Sequence, residues 1–164
     1  MYNQMFVRGM LSLLLGLICV AFTTASEIKL KEKDMPAAVL TAFHKAYPNA
    51  KATAFSKEVE NKNVEYEIST LDGTMKRDLV YLIDGTLKTV EEGIPVSALP
   101  DAVTKRIARN FPKAKIVSAE RVTEGIITSY ECVLMTGKQR SEVLFGEDGN
   151  ILKEEGKGMS ADRK

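Results

Sequence analysis

Two stretches of the chain carry apolar residues at the three- and four-residue spacing of a single helix face. In the first stretch Val39, Phe43 and Tyr47 share a face. Pro36 suits the first turn of this helix, and Pro48 ends it. The second stretch shows the same order, with its equivalent residues at Pro100, Val103, Ile107, Phe111 and Pro112. The spacing therefore predicts two short helices, each ended by a proline.

After each predicted helix, apolar and polar residues alternate in short runs that are typical of strands. The runs cover residues 52–59, 64–71, 76–83 and 86–90 in the first half, and residues 116–123, 128–135, 140–145 and 150–154 in the second. Asp-Gly pairs at 72–73 and 84–85 separate the later runs of the first half. Such pairs favour two-residue hairpin turns, because glycine accepts the positive φ that these turns need.

The two halves match each other without a gap at an interval of 64 residues. YPNAK at residues 47–51 corresponds to FPKAK at residues 111–115, and the turn glycines correspond as well. The sequence therefore predicts an α+β fold of two tandem repeats, each with one helix followed by an antiparallel meander of about four strands. Both helices should pack on one face of the sheet. The predicted divisions are an N-terminal segment at 26–34, repeats at 35–91 and 99–155, a linker at 92–98 and a polar tail at 156–164.

The order of short motifs resembles that of a known family. LPDAV, NFPKAKI, SYECVL, Gly137, EVLF and EDGN follow one another in the second half, and the first half carries a similar series. This succession is similar to the PepSY-like, beta-lactamase-inhibitor-like repeats of secreted bacterial proteins. The resemblance covers residues 35–155 and implies a tandem α+β fold, export from the cytoplasm and no established catalytic activity. Inhibitors of similar architecture grip an enzyme with the concave face of their sheet.

Alternation also assigns a row of acidic residues to the sheet face that the helices leave open. Tyr66, Ile68 and Leu134 should face the helices, so that Glu67 and Glu131 face away. If Asp72-Gly73 and Thr136-Gly137 are two-residue turns, Glu67 lies opposite Asp78 and Glu131 opposite Glu142. The next turns place Glu91 beside Asp78 and Glu155 beside Glu142. We hypothesise that these six residues bind a basic patch on a partner: Glu67, Asp78, Glu91, Glu131, Glu142 and Glu155. Two alternatives remain, namely that bulges break this register or that basic neighbours neutralise the row: Lys76, Arg140 and Lys153.

The N-terminus has the features of a secretory signal. Arg8 precedes an apolar run of about 13 residues, which is too short to span a bilayer, and small residues follow it. We expect cleavage after Ala25 and a periplasmic protein without stable membrane insertion. Lipidation at Cys19 is disfavoured, because Ile18 is not the small residue that a lipobox needs. Loss of residues 1–25 would leave 22 basic and 22 acidic residues. Such a balance gives no overall attraction to nucleic acid or anionic lipid.

The residue types that catalysis or metal binding would need are scarce. His44 is the only histidine, and it falls on the predicted solvent side of the first helix. After signal cleavage Cys132 is the single cysteine, so no internal disulfide can form, and its apolar surroundings favour an inert buried thiol. The Asp-Gly segments lack the alternating oxygen ligands of an EF-hand loop. We therefore predict no enzyme, no metal site and no cofactor.

Two kinds of function remain. The first is a non-enzymatic binding module that binds another exported protein, as its inhibitor or chaperone-like partner, through the open sheet face. The second is a carrier that holds a small ligand between helix and sheet. Large side chains such as Phe43, Tyr47 and Phe111 on the helix faces favour the first, because they would fill the space that a carrier needs.

Overall fold

The computed structural model describes residues 26–60 and 63–156. The predicted signal peptide and residues 157–164 of the predicted tail lie outside these ranges. A single strand comes first, β1 (Ser26–Lys29). The first half then contains α1 (Ala37–Ala46), β2 (Lys51–Glu60), β3 (Asn63–Asp72), β4 (Met75–Leu82) and β5 (Leu87–Ile94). The second contains α2 (Asp101–Asn110), β6 (Lys115–Glu124), β7 (Ile127–Thr136), β8 (Gln139–Gly146) and β9 (Ile151–Gly156).

The strands form one antiparallel sheet in which each strand pairs with its neighbour in sequence, from β1 to β9. The predicted order of one helix and four strands is confirmed in both halves. The sheet described here has nine strands, because β1 adds to the eight that the sequence predicts. Ser26 pairs with Val59 and Lys29 with Ser56, at the edge of β2. Ile28 is the only apolar residue of β1, so no alternation indicates this strand in the sequence.

The predicted linker is partly strand. Residues 92–94 extend β5 and pair with β6, so that Glu92 lies opposite Arg121 and Ile94 opposite Ala119. A short 3-10 turn at Val96–Ala98 then leads into α2. The two repeats are therefore joined through backbone pairing into one continuous sheet, and the prediction of a separate linker at 92–98 is wrong for its first three residues.

Each helix packs against its own four strands, as predicted. Val39 and Phe43 of α1 are at most 1% exposed and lie in a core with Ile68 and Tyr81. The second core contains Val103, Ile107, Cys132, Leu134 and Phe145. Each helix begins after a proline and ends at an aromatic residue whose N–H donates to a carbonyl four residues back. The amphipathic pattern thus fixes which face of the sheet is covered.

The irregularities of the sheet are duplicated too. Register shifts occur between Ala52 and Ala54, and again between Ile116 and Ser118, which are 64 residues further on. A second pair of shifts follows Val80 and Leu144, at the same interval. A bulge adds one unpaired residue and bends the strand. Bulges at equivalent positions show that both halves keep the same strand geometry, which supports their origin as one repeated unit.

The hairpin turns differ from the prediction by one position. Asp72 pairs with Met75 and Thr136 with Gln139, so the two loop residues are Gly73-Thr74 and Gly137-Lys138. Both types of two-residue hairpin turn require a positive φ at the first loop position, which glycine takes more easily than aspartate or threonine. This displacement shifts the cross-strand partners by two residues and leaves every side chain on its predicted face.

The predicted two-residue turn at Asp84-Gly85 is a three-residue loop. The Leu82 N–H donates to the Thr86 carbonyl at 2.9 Å, and the Gly85 N–H donates to the Leu82 carbonyl at the same distance. The loop has one residue more than predicted, which shifts the pairing by one position. The bulge that follows in β5 adds one further residue and restores the predicted register. The predicted pairing of Asp78 with Glu91 is therefore confirmed although the turn itself is not of the predicted type.

A buried ionic cluster joins the repeats on the helix side of the sheet. The Glu92 carboxylate accepts hydrogen bonds from Arg77 Nε at 2.9 Å and from Arg121 at 2.6 Å. The side chains of Arg77 and Glu92 are only 16% and 15% exposed. Residues at the equivalent positions of the other repeat cannot form such a cluster, since Ser141 and Gly156 replace Arg77 and Glu92.

We expect Glu92→Gln to lower the free energy of unfolding by about 2 kcal/mol, because Arg77 would keep its buried charge and lose the nearer of its two counter-charges, leaving only Asp72 at 3.8 Å. Urea unfolding measures this loss. Asp101→Asn is the control, since the Asp101–Lys105 pair is 91% and 78% exposed and should contribute little. Equal effects of the two substitutions would contradict a structural role for the cluster.

Candidate partner-binding surface

The structure places all six predicted acidic residues on the sheet face away from the helices. Asp78 lies opposite Glu91, and Glu142 opposite Glu155, as the sequence predicts. The two other predicted pairs are wrong because of the displaced turns. Glu67 lies opposite Val80 rather than Asp78, and Glu131 opposite Leu144 rather than Glu142. The acids remain on one face but run diagonally across it.

Further acids that the sequence prediction missed lie on the same face. Glu120 of β6 lies opposite Glu131 and links the acids of the two repeats. Glu27 of β1 lies opposite Glu58 of β2. The duplication gives no signal for Glu120, whose counterpart in the first repeat is Ser56. We call this surface the acidic face, defined by Glu27, Glu58, Glu67, Asp78, Glu91, Glu120, Glu131, Glu142 and Glu155.

Basic side chains neutralise the acidic face only in part. Arg140 forms an ion pair with Glu142, and Lys153 lies 2.5 Å from Glu155. The alternative that basic neighbours neutralise the row of acids therefore holds on strands β8 and β9, at one end of the sheet. In the described part of the chain, none of the ion pairs includes the four central acids: Glu67, Glu91, Glu120 and Glu131.

The central carboxyl groups have strongly raised pKa values. Burial, together with the charges of Glu131 and Glu120, raises the pKa of Glu91 from 4.5 to about 8. Burial and the charge of Glu142 raise the pKa of Glu131 to about 7, against the opposing effect of Arg140. The pKa of Glu67 rises to about 7 for the same kind of reason, and that of Glu120 is raised as well. Near neutral pH, Glu67, Glu91 and Glu131 therefore hold, for part of the time, protons that an exposed glutamate would have lost.

Apolar side chains form the floor between the acids. Val122, Val133 and Leu144 lie on the acidic face and are 1%, 9% and 5% exposed. Neither of the described helices covers this face, so neighbouring side chains must close over these residues. Ser129 is fully buried on the same face, and its hydroxyl has no hydrogen-bond partner within the described residues. The acids thus stand above a shielded floor that offers little apolar area to a ligand.

Two openings interrupt this surface. A cavity of about 10 Å³, enough for one water-sized group, is lined by Glu131, Glu142, Leu144, Lys153 and Glu155. A wider groove of about 510 Å³ lies at the junction of the repeats. Gly93 lines this groove between Lys76 and Glu120. Because glycine has no side chain, the backbone of the sheet is exposed there. The groove therefore continues from the acidic face towards the start of β6.

The candidate catalytic residues of the sequence do not come together. His44 lies on the surface of α1, 3.9 Å from Glu32, with both side chains at least 60% exposed. Cys132 is buried in the second core, and burial raises the pKa of its thiol to about 12. Within residues 26–60 and 63–156, no group of three or more His, Cys, Asp or Glu residues is arranged to hold a metal ion. In the same part of the chain, neither helix has the length and apolar character needed to cross a membrane.

Solved structures share this fold. A "putative periplasmic protein" from Bacteroides eggerthii has a TM-score of 0.65 at 16% identity, over 74% of this chain and 88% of that one. A "BLIP-like protein" from Bacteroides fragilis has a TM-score of 0.56 at 19% identity, over 77% and 89% of the two chains. No curated protein matches the sequence. A family model matches in two overlapping segments, residues 22–89 and 72–153, which together cover nearly all of both repeats. The chain belongs to the family described as "Putative beta-lactamase-inhibitor-like, PepSY-like".

Proposed function

We propose that this protein is exported to the periplasm and there binds the basic surface of another exported protein through its acidic face, without catalysing a reaction. One observation carries the proposal: the central acids are crowded together and partly buried, and none of them belongs to an ion pair among the described residues. Like charges on neighbouring strands destabilise a sheet. A partner that supplies positive charge would remove this cost on binding.

The related proteins support the export and the kind of function. The structural relative from Bacteroides eggerthii is called periplasmic, and the family takes its name from inhibitors that bind proteins. Fold similarity does not transfer a particular target. We therefore assign the partner only by its chemistry, as a protein with exposed lysine or arginine side chains.

The packing between helices and sheet argues against the carrier function. Phe43, Ile68 and Tyr81 fill the space under α1, and each is at most 1% exposed. Val103, Leu134 and Phe145 fill the space under α2 in the same way. A ligand there would have to displace close-packed side chains, which costs several kcal/mol.

The double variant Glu91→Gln/Glu131→Gln tests the proposal, because neither carboxylate has an ion-pair partner to leave behind. We expect immobilised wild-type protein to retain one stoichiometric partner from an envelope extract, and the variant to retain at least tenfold less. Raising the salt concentration should weaken wild-type capture in the same direction.

Glu147→Gln/Glu154→Gln is the matched control, because it also replaces two glutamates with glutamine. Glu147 lies in an exposed loop and Glu154 points to the opposite side of β9 from Glu155. This control should capture the partner like the wild type. Equal retention by the central variant and the control would show that the acidic face is not the binding surface.

A further inference from the structure

The centre of the acidic face can gain little from burying apolar surface, although Leu82 and Ile127 at the strand ends of this face are 38% and 53% exposed. Its apolar floor is already at most 9% exposed in the free protein. Hydrophobic stabilisation scales with the apolar area removed from water, so a partner gains almost nothing from contact with Val122, Val133 or Leu144. Binding at the centre of this face must therefore depend mainly on charge and hydrogen bonding.

Acids outnumber bases among the charged groups around Glu91 and Glu131, by three to one and by three to two. Glu91 of β5 faces charged residues of β4 and β6, which are Lys76, Asp78, Glu120 and Glu124. Glu131 of β7 faces charged residues of β6, β8 and β9, which are Glu120, Arg140, Glu142, Lys153 and Glu155. The cations in these sets lie towards the ends of the strands or are paired with Glu142 and Glu155. Each central carboxyl group thus meets mainly negative charge.

We propose that the acidic face takes up cationic side chains of its partner in exchange for protons, so that capture strengthens as the pH rises. The inference rests on the proposed function. In the exchange, a neutral carboxylic acid on the face releases its proton to the solvent, and the resulting carboxylate pairs with an ammonium or guanidinium group. No covalent bond other than the O–H bond breaks, and the charge on the face is balanced in the bound state.

Two features of the face support this exchange. The raised pKa values mean that Glu91 and Glu131 still bind protons near pH 7. A cation that binds only the ionised form must expel those protons, because the two binding events are thermodynamically linked. The cavity beside Glu131 and Glu142 has room for a water-sized group, which is about the size of a lysine ammonium.

Hexalysine is a suitable probe, with binding measured by calorimetry at pH 6 and pH 8.5. We expect the affinity to rise about tenfold or more between these values. At pH 7 the apparent heat should differ between phosphate and Tris, because released protons are taken up by the buffer. The Glu91→Gln/Glu131→Gln variant should bind more weakly and show a smaller buffer effect, whereas Glu147→Gln/Glu154→Gln should behave as the wild type.

The outcomes separate the two proposals. Binding of hexalysine that is independent of pH and releases no protons would overturn the proton exchange and leave the acidic binding surface intact. The same conclusion would follow if the central variant and the control released equal numbers of protons. Absence of binding at both pH values would overturn the exchange together with the proposed function.

Discussion

Replacing Glu91 with glutamine is expected to raise the free energy of unfolding by about 3 kcal/mol at pH 9 and to change it little at pH 5. The folded state raises the pKa of Glu91 from 4.5 to about 8, so it holds this proton more tightly than the unfolded chain does. The stability from this group is complete below pH 4.5 and is lost as the pH rises through about 8. Glutamine has the same shape without the charge, so it removes the high-pH penalty. The gain stays below the full linkage energy, because a buried amide also loses its hydration.

The measurement is urea unfolding of the wild type and the variant across this pH range. The free energy of unfolding of the wild type should fall from pH 5 to pH 9. Glu91→Gln should make this fall smaller. Glu154→Gln is the control, since Glu154 is exposed on the other side of the sheet and should leave the slope unchanged. A wild-type stability that rises over this range, or a variant with an unchanged slope, would contradict the assignment.

If Glu91→Gln raises stability, the wild-type carboxyl group destabilises the folded protein. Residues retained against stability are commonly functional, because selection for folding alone would replace them. The same substitution should therefore raise stability and weaken partner capture. If Glu91 had only a structural role, stability and partner capture would change in the same direction. Measuring both therefore separates an effect on binding from an effect on folding.

The sequence predicts the elements well because they rest on strong local signals. Prolines bound both helices, and alternation defines the strands after them. The face of each acid was also predictable, since a shift of two residues in pairing returns a side chain to the same side. The exact partners were not, because they depend on whether Asp72 or Gly73 takes the first position of the turn.

The remaining errors involve contacts between segments that are distant in sequence. Glu92 precedes Gly93 and Pro95, a composition typical of a loop, yet its strand continues because β6 supplies hydrogen-bonding partners. Glu120 joins the acidic face through the same β5–β6 pairing. A strand such as β1, with a single apolar residue, forms only because β2 offers an unpaired edge. Local patterns carry no signal for these pairings.

The second large effect on the free energy of unfolding is expected for substitutions in the loop that contacts the helix of each repeat. Gly149 has a φ of 78°, and a Cβ at this position would lie 2.4 Å from the Ala102 carbonyl oxygen of α2. Arg106 of α2 also holds the loop, because its Nε donates to the Gly149 carbonyl at 2.9 Å. Neither partner in the clash is a flexible side-chain end, so the loop and the helix would have to separate. We expect Gly149→Ala to lower the free energy of unfolding by about 3 kcal/mol or more.

Gly137→Ala separates this close contact from simple backbone strain. Gly137 has a φ of 61°, but a Cβ there would meet nothing within 4 Å. Its replacement should therefore cost only about 1 kcal/mol, the usual penalty of a positive φ for alanine. Gly85 and Gly73 repeat the comparison in the first half, since a Cβ at Gly85 would lie 2.6 Å from the Ala38 carbonyl oxygen and one at Gly73 would meet nothing. Urea unfolding of the four variants should give two large losses and two small ones. Equal losses of unfolding free energy for Gly149→Ala and Gly137→Ala, or for Gly85→Ala and Gly73→Ala, would show that the loop can move away from its helix. The duplicated contact would then not hold helix and sheet together.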